Sequence, residues 1–396
     1  MSRRTARTCN IGVMADSDLI ARIAPAVGAI DAEKWDRLAG RGNPFTSHAF
    51  LSALEDSGSV GPGTGWDPAP IVIEDGRGGL HAALPSYLKS HSQGEYVFDH
   101  AWADAWQRAG GRYYPKLQIA APFTPASGPR LLFEDEAYAA PLLGAAERLC
   151  AQHGLSSAHA TFIEPGQRHL FERAGWLLRN DIQFHWENRG YASFDDFLAQ
   201  LSSRKRKDLR KERARAQEGV EIRHLTGADL RHEHRDAFWE FYQDTGARKW
   251  GQPYLTRAAF DLFGERMGES VLLVLAYEGG EPIAGALNFI GGAGEHGALY
   301  GRYWGCTRDK PFLHFELCYY QAIDAAIARG LARVEAGAQG GHKLARGYEP
   351  VRTWSAHWIA DAGFREAVSD FLEREREGVA QESLYLGTRT PFRKGD

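Results

Sequence analysis

The residues best suited to chemistry lie between positions 314 and 348. His314 and Glu316 fall at the start of a predicted helix, where side chains two positions apart point in different directions and do not serve one substrate atom together. Glu335 and Gln339 fall in the strand predicted next, and positions four apart share one face of a strand. A Gly-Gly pair then precedes four further polar residues: His342, Lys343, Arg346 and Tyr348.

These side chains match the needs of amide formation. The attacking amine loses a proton, which a histidine or a carboxylate of raised pKa can take. Backbone N–H groups can hold the oxyanion. A tyrosine hydroxyl (Tyr300, Tyr303 or Tyr348) can protonate the leaving group. We therefore predict catalytic roles for five residues: His314, Glu316, Glu335, His342 and Tyr348. Structural roles also suit them, since a histidine can cap a helix and a glutamate can complement the helix dipole.

A strongly basic segment lies near the middle of the chain. Residues 193–216 predict a helix that begins with a capping box at Ser193 and Asp196. From Arg204 to Arg215 it carries eight basic and two acidic residues, hence +6 in a chain of net charge −4. Such segregation favours an anionic partner, although a basic helix can also rest on acidic surface of its own protein. We predict that five cations bind the anionic substrate: Lys207, Arg210, Lys211, Lys343 and Arg346.

Composition narrows the class of protein. A chain of 396 residues exceeds one ordinary core, so two domains are expected. Its four cysteines form no CxxC pair, which argues against a disulfide framework, and the irregular histidine spacing predicts no metal site. Asp16 and Asp18 interrupt the N-terminal apolar run, and no apolar stretch is long enough to span a membrane. We therefore expect a cytoplasmic protein.

The chain contains a weak internal repeat. Residues 71–88 and 274–290 both read as two apolar runs joined by an acidic residue and glycines, which predicts a hairpin in each half. Downstream, each half has an amphipathic helix that ends at a glycine, Gly154 or Gly330, and is followed by a short strand. Because the same order occurs twice, we predict that the chain arose by duplication.

Several segments resemble a known family. Residues 168–186 place a short helix before a Gly-Trp pair and a strand, which resembles the closing element of GNAT acyltransferase domains. Six further segments resemble the peptidoglycan biosynthesis/recognition branch of the Fem-like predicted N-acyltransferases: NPFTSHAFL, FDHAWADAW, YYPKLQ, PFTPASGPRLL, LHFELCYYQAI and EAGAQGGHKLARGYEP.

The resemblance implies an α/β fold of two tandem GNAT-type domains. Their sheets would be mixed and mostly antiparallel, and the basic helix would join them. The expected organisation is an N-terminal tail (1–30), a first domain (31–190), a linker helix (191–218) and a second domain (219–396) that carries the active site.

The resemblance also implies where a cofactor would bind. GNAT domains spread two parallel strands apart, and an acyl thioester lies in the gap with its pyrophosphate at the start of the next helix. Here 300–304 would be the splayed strand, and the cofactor would contact the loop after it: Gly305, Thr307, Arg308, Lys310 and Phe312. The usual glycine-rich signature is absent from this loop, as in Fem-type enzymes, which use aminoacyl-tRNA.

Three functions stay open at this point. The first is an N-acyltransferase that moves an acyl group from acyl-CoA or another acyl thioester to an amine acceptor. The second is a Fem-like aminoacyl-tRNA-dependent aminoacyl- or peptidyltransferase. The third is a non-catalytic module that binds peptidoglycan or nucleic acid. Peripheral contact with an anionic lipid or a cell-wall precursor would suit the basic helix in each case.

Overall fold

The computed structural model describes residues 9–13, 19–249, 253–337 and 340–393. The chain forms two compact units, one from Met1–Asp181 and Thr353–Val379, the other from Ile182–Arg352 and Ala380–Asp396. The sequence-based boundaries assumed continuous domains. Both observed units instead include a second segment from the C-terminal part of the chain.

The strands are, in chain order, β1 Cys9–Val13, β2 Ile20–Ile23, β3 Trp66–Pro68, β4 Ile71–Glu74, β5 Leu80–Leu84, β6 Ser86–Lys89, β7 Lys116–Ile119, β8 Leu132–Phe133, β9 Ser157–Ile163, β10 Leu177–Glu187, β11 Glu221–Leu225, β12 Val271–Glu278, β13 Glu281–Gly291, β14 Ala298–Cys306, β15 Arg333–Glu335 and β16 Glu349–Ile359.

The α-helices are α1 Ala32–Ala39, α2 His48–Asp56, α3 His100–Arg108, α4 Ala139–His153, α5 Arg168–Arg173, α6 Phe194–Ala199, α7 Ser203–Ala216, α8 His232–Lys249, α9 Arg257–Met267, α10 Leu313–Phe315, α11 Gln321–Ala328 and α12 Ala362–Gly387. A π-helical segment, Glu316–Tyr320, connects α10 to α11.

The first unit contains two sheet regions. One has the order β1-β2-β4-β5-β8 with antiparallel neighbours, so the predicted tail 1–30 includes two strands of this sheet. In the other, β3, β6 and β7 are antiparallel neighbours, β7 runs parallel to β9, and residues 354–359 of β16 pair antiparallel with β9. Buried Leu142, Ala146 and Leu149 follow one face of α4 and pack in the core of this unit.

The second unit is built on one sheet region. β11, β12, β13 and β14 are antiparallel neighbours, β14 runs parallel to β15, and β15 pairs antiparallel with residues 185–187 of β10. Buried Ala322, Ile323 and Ala326 of α11 pack in the core of this unit. The predicted mixed, mostly antiparallel α/β architecture is confirmed.

The predicted repeat has a structural counterpart in each unit. Hairpins β4–β5 and β12–β13 come first, and a helix then leads into a strand that runs parallel to an earlier one. Gly154 and Gly330 follow these helices with positive φ angles of 62° and 63°, where a side chain would be strained. The local glycine signals therefore located the helix ends.

The predicted basic helix is two helices rather than one. Ser193 caps α6 by accepting from the Asp196 N–H, as the capping box predicts. The helical run breaks at residues 200–202, because Leu201 forms a β-bridge with Phe392 and the Ser202 N–H donates to the Pro391 carbonyl. The C-terminal end of the chain thus separates α6 from the basic α7.

Candidate active site

The site lies where two parallel strands separate in the second unit. β14 pairs with β15 at three positions, of which the last joins Tyr300 and Glu335. β14 continues to Cys306, so the rest of its edge on that side has no ladder partner in β15. The predicted splayed strand, 300–304, borders this gap.

A bulge shapes the same stretch of β14 on its other edge. Leu287 pairs with Tyr303 whereas Asn288 pairs with Gly301, so Arg302 is an extra residue in the ladder. A bulge bends the strand and redirects its side chains. The bend lies beside the point where β14 and β15 diverge.

A cavity of about 120 Å³ occupies the gap. We call it the split cavity; it is lined by Ala286, Leu287, Asn288, Gly301, Arg302, Tyr303, Trp304, His314, Cys318, Tyr319 and Ala336. The His314 ring contacts Trp304 and Tyr319, with ring centroids 5.1 and 5.6 Å apart. Of the five predicted catalytic residues, His314 alone lines this cavity.

His342 reaches the split cavity through Tyr319. The Tyr319 hydroxyl and the Nε2 atom of His342 are 2.9 Å apart. Partial burial and the charges of Arg346 and Lys343 lower the pKa of His342, so its ring is neutral near pH 7. Burial raises the pKa of Tyr319, which keeps its hydroxyl protonated. A neutral imidazole behind a protonated phenol can receive a proton from the cavity.

Lys343 and Tyr348 are buried beside this pair. The Lys343 ammonium donates to the Gly337 carbonyl at 2.9 Å, and burial lowers its pKa to about 8. The Tyr348 hydroxyl faces the backbone carbonyl of Tyr319 at 3.5 Å, and burial raises its pKa well above the ordinary value. Neither residue lines the split cavity, so the predicted contact of Lys343 with substrate and the acid role of Tyr348 lack a direct path to it.

Glu316 is an anchor for α7. It is fully buried, and its carboxylate accepts from Arg213 at 3.0 and 3.2 Å, from Gln217 at 2.8 Å and from Gln321 at 2.7 Å. A carboxylate with this many donors is already satisfied. The predicted role as a general base is therefore not supported by its position.

Glu335 also lies away from the split cavity's lining. It pairs with Arg333 at 2.9 Å, and its other oxygen is 3.7 Å from the Nε2 atom of buried His185 on the neighbouring strand. Burial lowers the pKa of His185. Gln339, predicted to share a face with Glu335, lies outside the described residues.

A second and larger cavity lies against α7. We call it the helix cavity; its volume is about 370 Å³, and it is lined by Lys205, Asp208, Leu209, Lys211, Glu212, Arg215, Phe312, Ala345 and Arg346. Arg346 donates to Glu212 at 2.8 Å and lies 3.5 Å from the centroid of the Phe315 ring. Four cations and two carboxylates thus surround the cavity, which favours an anionic ligand.

The predicted substrate-binding cations of α7 have different surroundings. Lys211 lines the helix cavity, and Lys207 is exposed. Arg210 is paired with Asp195 at 2.7 Å. Among the described residues, no carboxylate lies within salt-bridge distance of six α7 cations: Arg204, Lys205, Arg206, Lys207, Lys211 and Arg215.

The charged residues of the predicted cofactor loop are already paired. Arg308 contacts Glu278 at 3.2 Å and Glu281 at 2.9 Å, and Lys310 contacts Glu278 at 2.6 Å. These two cations lower the pKa of Glu278. Since the hairpin carboxylates neutralise both side chains, the loop does not present free positive charge to a phosphate.

The other loop residues have structural roles except Phe312. The Thr307 hydroxyl donates to the Ile283 carbonyl at 3.3 Å. A Cβ atom at Gly305 would lie 2.0 Å from the Phe241 carbonyl oxygen, so the close approach of α8 requires a glycine there. Phe312 lines the helix cavity and has a φ of 65°, unusual for a bulky residue.

Sequence reasoning missed four polar residues of the split cavity: Asn288, Arg302, Cys318 and Tyr319. Tyr319 falls among apolar helix positions in the sequence, and it is buried, but it also lines the cavity. Asn288 carried a usable signal, because a single amide inside the apolar run of β13 must either find backbone partners or face a site.

The corresponding place in the first unit is filled. β7 and β9 pair at three positions, and Arg130 follows beside them, fully buried. Its guanidinium donates to the Thr161 and Ala126 carbonyls, both at 2.9 Å, and Gln118 donates to the Thr161 hydroxyl. The guanidinium thus contacts the Thr161 carbonyl directly beyond Ala160, the last β9 residue paired with β7.

The first unit also buries a polar network that the sequence gave no reason to expect. Lys116 is fully buried and donates to Glu95 at 2.7 Å and to Asp99. Tyr113 donates to Asp99 at 2.6 Å, and His159 lies 3.3 Å from the Tyr113 hydroxyl. Burial raises the pKa of Glu95 to about 7, so this carboxyl is close to gaining a proton at neutral pH.

Within the part of the chain that the structure describes, no group of three or more histidine, cysteine, aspartate or glutamate side chains is arranged to hold a metal ion. No described helix combines the length and apolar character that crossing a membrane requires.

Two α/β units, with a strand split and adjoining cavities in the second, define a tandem acyltransferase-type fold. The family model FemAB_like, described as peptidoglycan biosynthesis/recognition, matches residues 26–394. The chain belongs to this family.

Solved structures show the same fold. The chain is similar to FemX, with a TM-score of 0.54 and 11% identity over 86% of this chain and 98% of that one. It is also similar to the C-terminal domain of a putative lysylphosphatidylglycerol synthetase from Agrobacterium fabrum (TM-score 0.50, 11% identity, 87% and 96% covered). A conserved protein of unknown function from Bacteroides thetaiotaomicron gives a TM-score of 0.50 at 12% identity, with 84% and 98% covered.

No curated protein matches the sequence. Membership of the FemAB_like family, together with the shared fold, supports a transferase.

Proposed function

We propose that this chain is an N-acyltransferase whose single active site is the split cavity of the second unit. The observation that carries the proposal is the separation of β14 from β15 after Tyr300 and Glu335, with a cavity between them. His314 and Tyr319 line that cavity, and His342 bonds to Tyr319. Arg130 fills the corresponding place in the first unit, which supports one site rather than two.

The proposed reaction uses Tyr319 and His342 as a proton relay. The amine nitrogen attacks the acyl carbon, and its proton passes to the Tyr319 oxygen as the Tyr319 proton moves to Nε2 of His342. Backbone N–H groups of β14, beyond its last pair with β15, hold the oxyanion. When the bond to the leaving group breaks, the same relay returns the proton to the leaving oxygen or sulfur. The product is an amide.

The charge distribution favours aminoacyl-tRNA over an acyl thioester as donor. Arg308 and Lys310, the cations of the predicted cofactor loop, are neutralised by carboxylates. The unpaired cations of α7 line the helix cavity or lie on the exposed helix surface. A long row of cations suits the many phosphates of an RNA better than the few of coenzyme A.

The two cavities are lined by residues two positions apart in the chain, which favours the same donor. Phe312 lines the helix cavity, and His314, two positions later, lines the split cavity. In aminoacyl-tRNA the acyl group is esterified to the terminal ribose, whereas in coenzyme A a long pantetheine arm separates thioester and phosphates. A nucleotide in the helix cavity would therefore bring a ribose ester directly to the split cavity.

We propose a cell-wall peptide amine as the acceptor, in line with the description of the family, and the cytoplasm as the compartment, where both donors are made. Contact of α7 with an anionic lipid is compatible with turnover, whereas the non-catalytic role predicts binding without it.

The test combines donor choice with salt dependence. The full chain is incubated with a synthetic cell-wall peptide bearing a free side-chain amine, and with alanyl-tRNA or acetyl-CoA; amide product is measured by mass spectrometry. We expect product from alanyl-tRNA, with tRNA affinity falling steeply as salt rises. Replacing Lys205 and Lys211 by Gln should flatten that slope by about two, one per lost phosphate contact. Product from acetyl-CoA but not from alanyl-tRNA would identify the thioester as the donor. No product from either donor would favour a non-catalytic binding module.

A further inference from the structure

One buried side chain of the split cavity has an unused hydrogen-bonding atom. Asn288 lies on β13, is 1% exposed, and lines the cavity. Its side-chain oxygen, Oδ1, has no hydrogen-bond partner among the described residues. A buried amide oxygen left unpaired is costly, so it points to a ligand that donates a hydrogen bond.

The orientation of this amide is fixed by its nitrogen. Nδ2 of Asn288 donates to the Leu272 carbonyl at 3.2 Å and to the Ala286 carbonyl at 3.3 Å. Carbonyl oxygens only accept hydrogen bonds, so exchanging the amide nitrogen and oxygen would break both contacts. Oδ1 therefore points away from these two carbonyls.

Oδ1 lies where the two parallel strands separate. Gly301 is the cross-strand partner of Asn288, and a Cβ atom at Gly301 would lie 3.5 Å from Oδ1 and 3.6 Å from the Glu335 carbonyl oxygen. Glu335 takes part in the last pair between β14 and β15. The unpaired oxygen is thus next to the opening of the split, where the proposed function puts acyl transfer.

We propose that Oδ1 of Asn288 accepts an N–H of the attacking amine and thereby makes the site select amines over alcohols. This inference rests on the proposed function. A neutral primary amine has two N–H hydrogens: one is lost to the Tyr319–His342 relay as the C–N bond forms, and the other stays bonded to Oδ1. An alcohol has a single O–H hydrogen, which the relay must take. Oδ1 is then left unpaired in the transition state, so ester formation is disfavoured.

The experiment measures product choice, which does not depend on total activity. Wild-type chain receives alanyl-tRNA, or acetyl-CoA in a second series, with an equimolar mixture of n-propylamine and n-propanol, and the amide and ester products are quantified. We expect the ratio of amide to ester to fall about 10- to 100-fold in Asn288→Leu, because the variant has no acceptor to favour the amine. Asn288→Ala is a second variant in case leucine does not fit.

Asn180→Leu provides a matched control. Asn180 is also buried and its Oδ1 also has no partner among the described residues, but it lies in the first unit, outside the split cavity. The product ratio should stay at the wild-type value in this variant. An unchanged ratio in both Asn288 variants would overturn the inference and indicate that Oδ1 is satisfied by an ordered water.

A binding measurement decides the case in which no product forms with either donor, which counts against the proposed function itself. Isothermal titration of n-propylamine into wild type, Asn288→Leu and Asn180→Leu measures the hydrogen bond to Oδ1 without turnover. Binding about tenfold weaker in Asn288→Leu, with wild-type affinity in Asn180→Leu, would support the role of Oδ1. Equal affinities of the amine for wild type and Asn288→Leu would overturn it.

Discussion

At the scale of single residues, the proposed relay depends on the hydrogen bond between Tyr319 and His342. Neither side chain alone would accept a proton from the substrate efficiently. A phenol of raised pKa is a weak proton acceptor by itself, and a histidine outside the cavity lining has no contact with a substrate. Hydrogen-bonded at 2.9 Å, the phenol supplies the contact and the imidazole supplies the basicity. Removal of either partner should therefore have a similar effect.

We predict that Tyr319→Phe and His342→Asn each lower kcat by about 10²–10⁴-fold with little change in melting temperature. Because the pKa of His342 is lowered from its ordinary value of 6.5, protonation of its ring should add a second fall in the wild-type rate below pH 6.5, beyond the fall caused by protonation of the acceptor amine, and His342→Asn should lack this second fall. The measurement is a pH–rate profile for each variant.

Tyr191→Phe is the control for this prediction, since the Tyr191 hydroxyl is buried with no partner among the described residues. It should keep wild-type turnover. Near-normal activity of both Tyr319→Phe and His342→Asn would show that the relay is not used.

At this scale the sequence drew attention to residues that the fold brings together only in part. His314 lines the split cavity and His342 lies behind it, and their catalytic roles stay predictions. Glu316 was predicted as a base, but Arg213 satisfies it from 103 positions earlier in the chain. A contact of that sequence separation leaves no local pattern, so the ion pair could not be predicted.

At the scale of elements, α7 is a cationic helix held at defined points. Leu209 and Ala216 are buried, and Arg213 contacts Glu316 and Asp324 at 3.0 and 2.6 Å. Leu209, Arg213 and Ala216 lie on one face of α7 because they are four and three positions apart. The remaining basic side chains therefore lie on the other faces. The anchored face fixes the position of the cations that line the helix cavity.

We predict that Glu316→Leu lowers the free energy of unfolding by about 3 kcal/mol, because Arg213 is left with a buried charge that Asp324 compensates only in part. Adding Arg213→Met should recover part of that loss. Urea unfolding measures both values, and trypsin should cut α7 faster in the single variant than in the double one.

Asp195→Asn is the matched control for the α7 anchor, because it breaks the exposed pair with Arg210 and should change stability by less than about 1 kcal/mol. A loss of similar size in Asp195→Asn and Glu316→Leu would contradict a special role for the buried pair.

Element boundaries were predictable where the signal was local. The Ser193 cap, the two hairpins and the glycine helix ends followed from short patterns. The break between α6 and α7 depends on Leu201 and Phe392, which are far apart in sequence. No local pattern around residue 201 predicts that bridge.

At the scale of the whole molecule, each unit carries buried charge that its fold must compensate. Lys343 is buried in the second unit, and Lys116, Glu95 and Asp99 are buried in the first. The Lys116 ammonium neutralises Asp99 and partly offsets the effect of burial on Glu95. The stability of the first unit should therefore depend strongly on this one lysine.

We predict that Lys116→Met lowers stability by about 3–5 kcal/mol at pH 8, since Asp99 loses its paired lysine and Glu95 keeps only the more distant Lys89, at 3.9 Å. The pKa of Glu95 is already raised to about 7, and loss of the lysine raises it further. Because the carboxyl pKa is raised by folding, the folded state keeps this proton to a higher pH than the unfolded state does. Stability therefore falls as the pH rises above the pKa of the unfolded state, which is near 4.5. The loss should therefore be smaller at pH 5.5 than at pH 8.

Thermal melts at both pH values test this prediction. Lys34→Met, which removes an exposed lysine of the same unit, should change stability by less than about 0.5 kcal/mol at either pH. A pH-independent loss in Lys116→Met would mean that the carboxylates do not respond to the missing charge.

The duplicated architecture was predictable because the same order of elements occurs twice in the sequence. The assignment of residues 353–379 to the first unit was not predictable. Nothing in residues 353–379 identifies them as part of the first unit, because the pairing of β16 with β9 joins positions such as Trp354 and Ile163. Hydrophobic patterns indicate that a strand forms, and they do not state which partner it takes.

The discontinuity of the first unit has a consequence for biosynthesis. Domains generally fold from the N-terminus as the ribosome releases them. Here the strand that pairs with β9 and the following helix belong to Thr353–Val379, so the first unit stays incomplete until residue 379 has been translated. The nascent chain carries an unpaired edge of β9 while about 190 further residues are added, and a premature stop before residue 353 leaves the first unit unfinished.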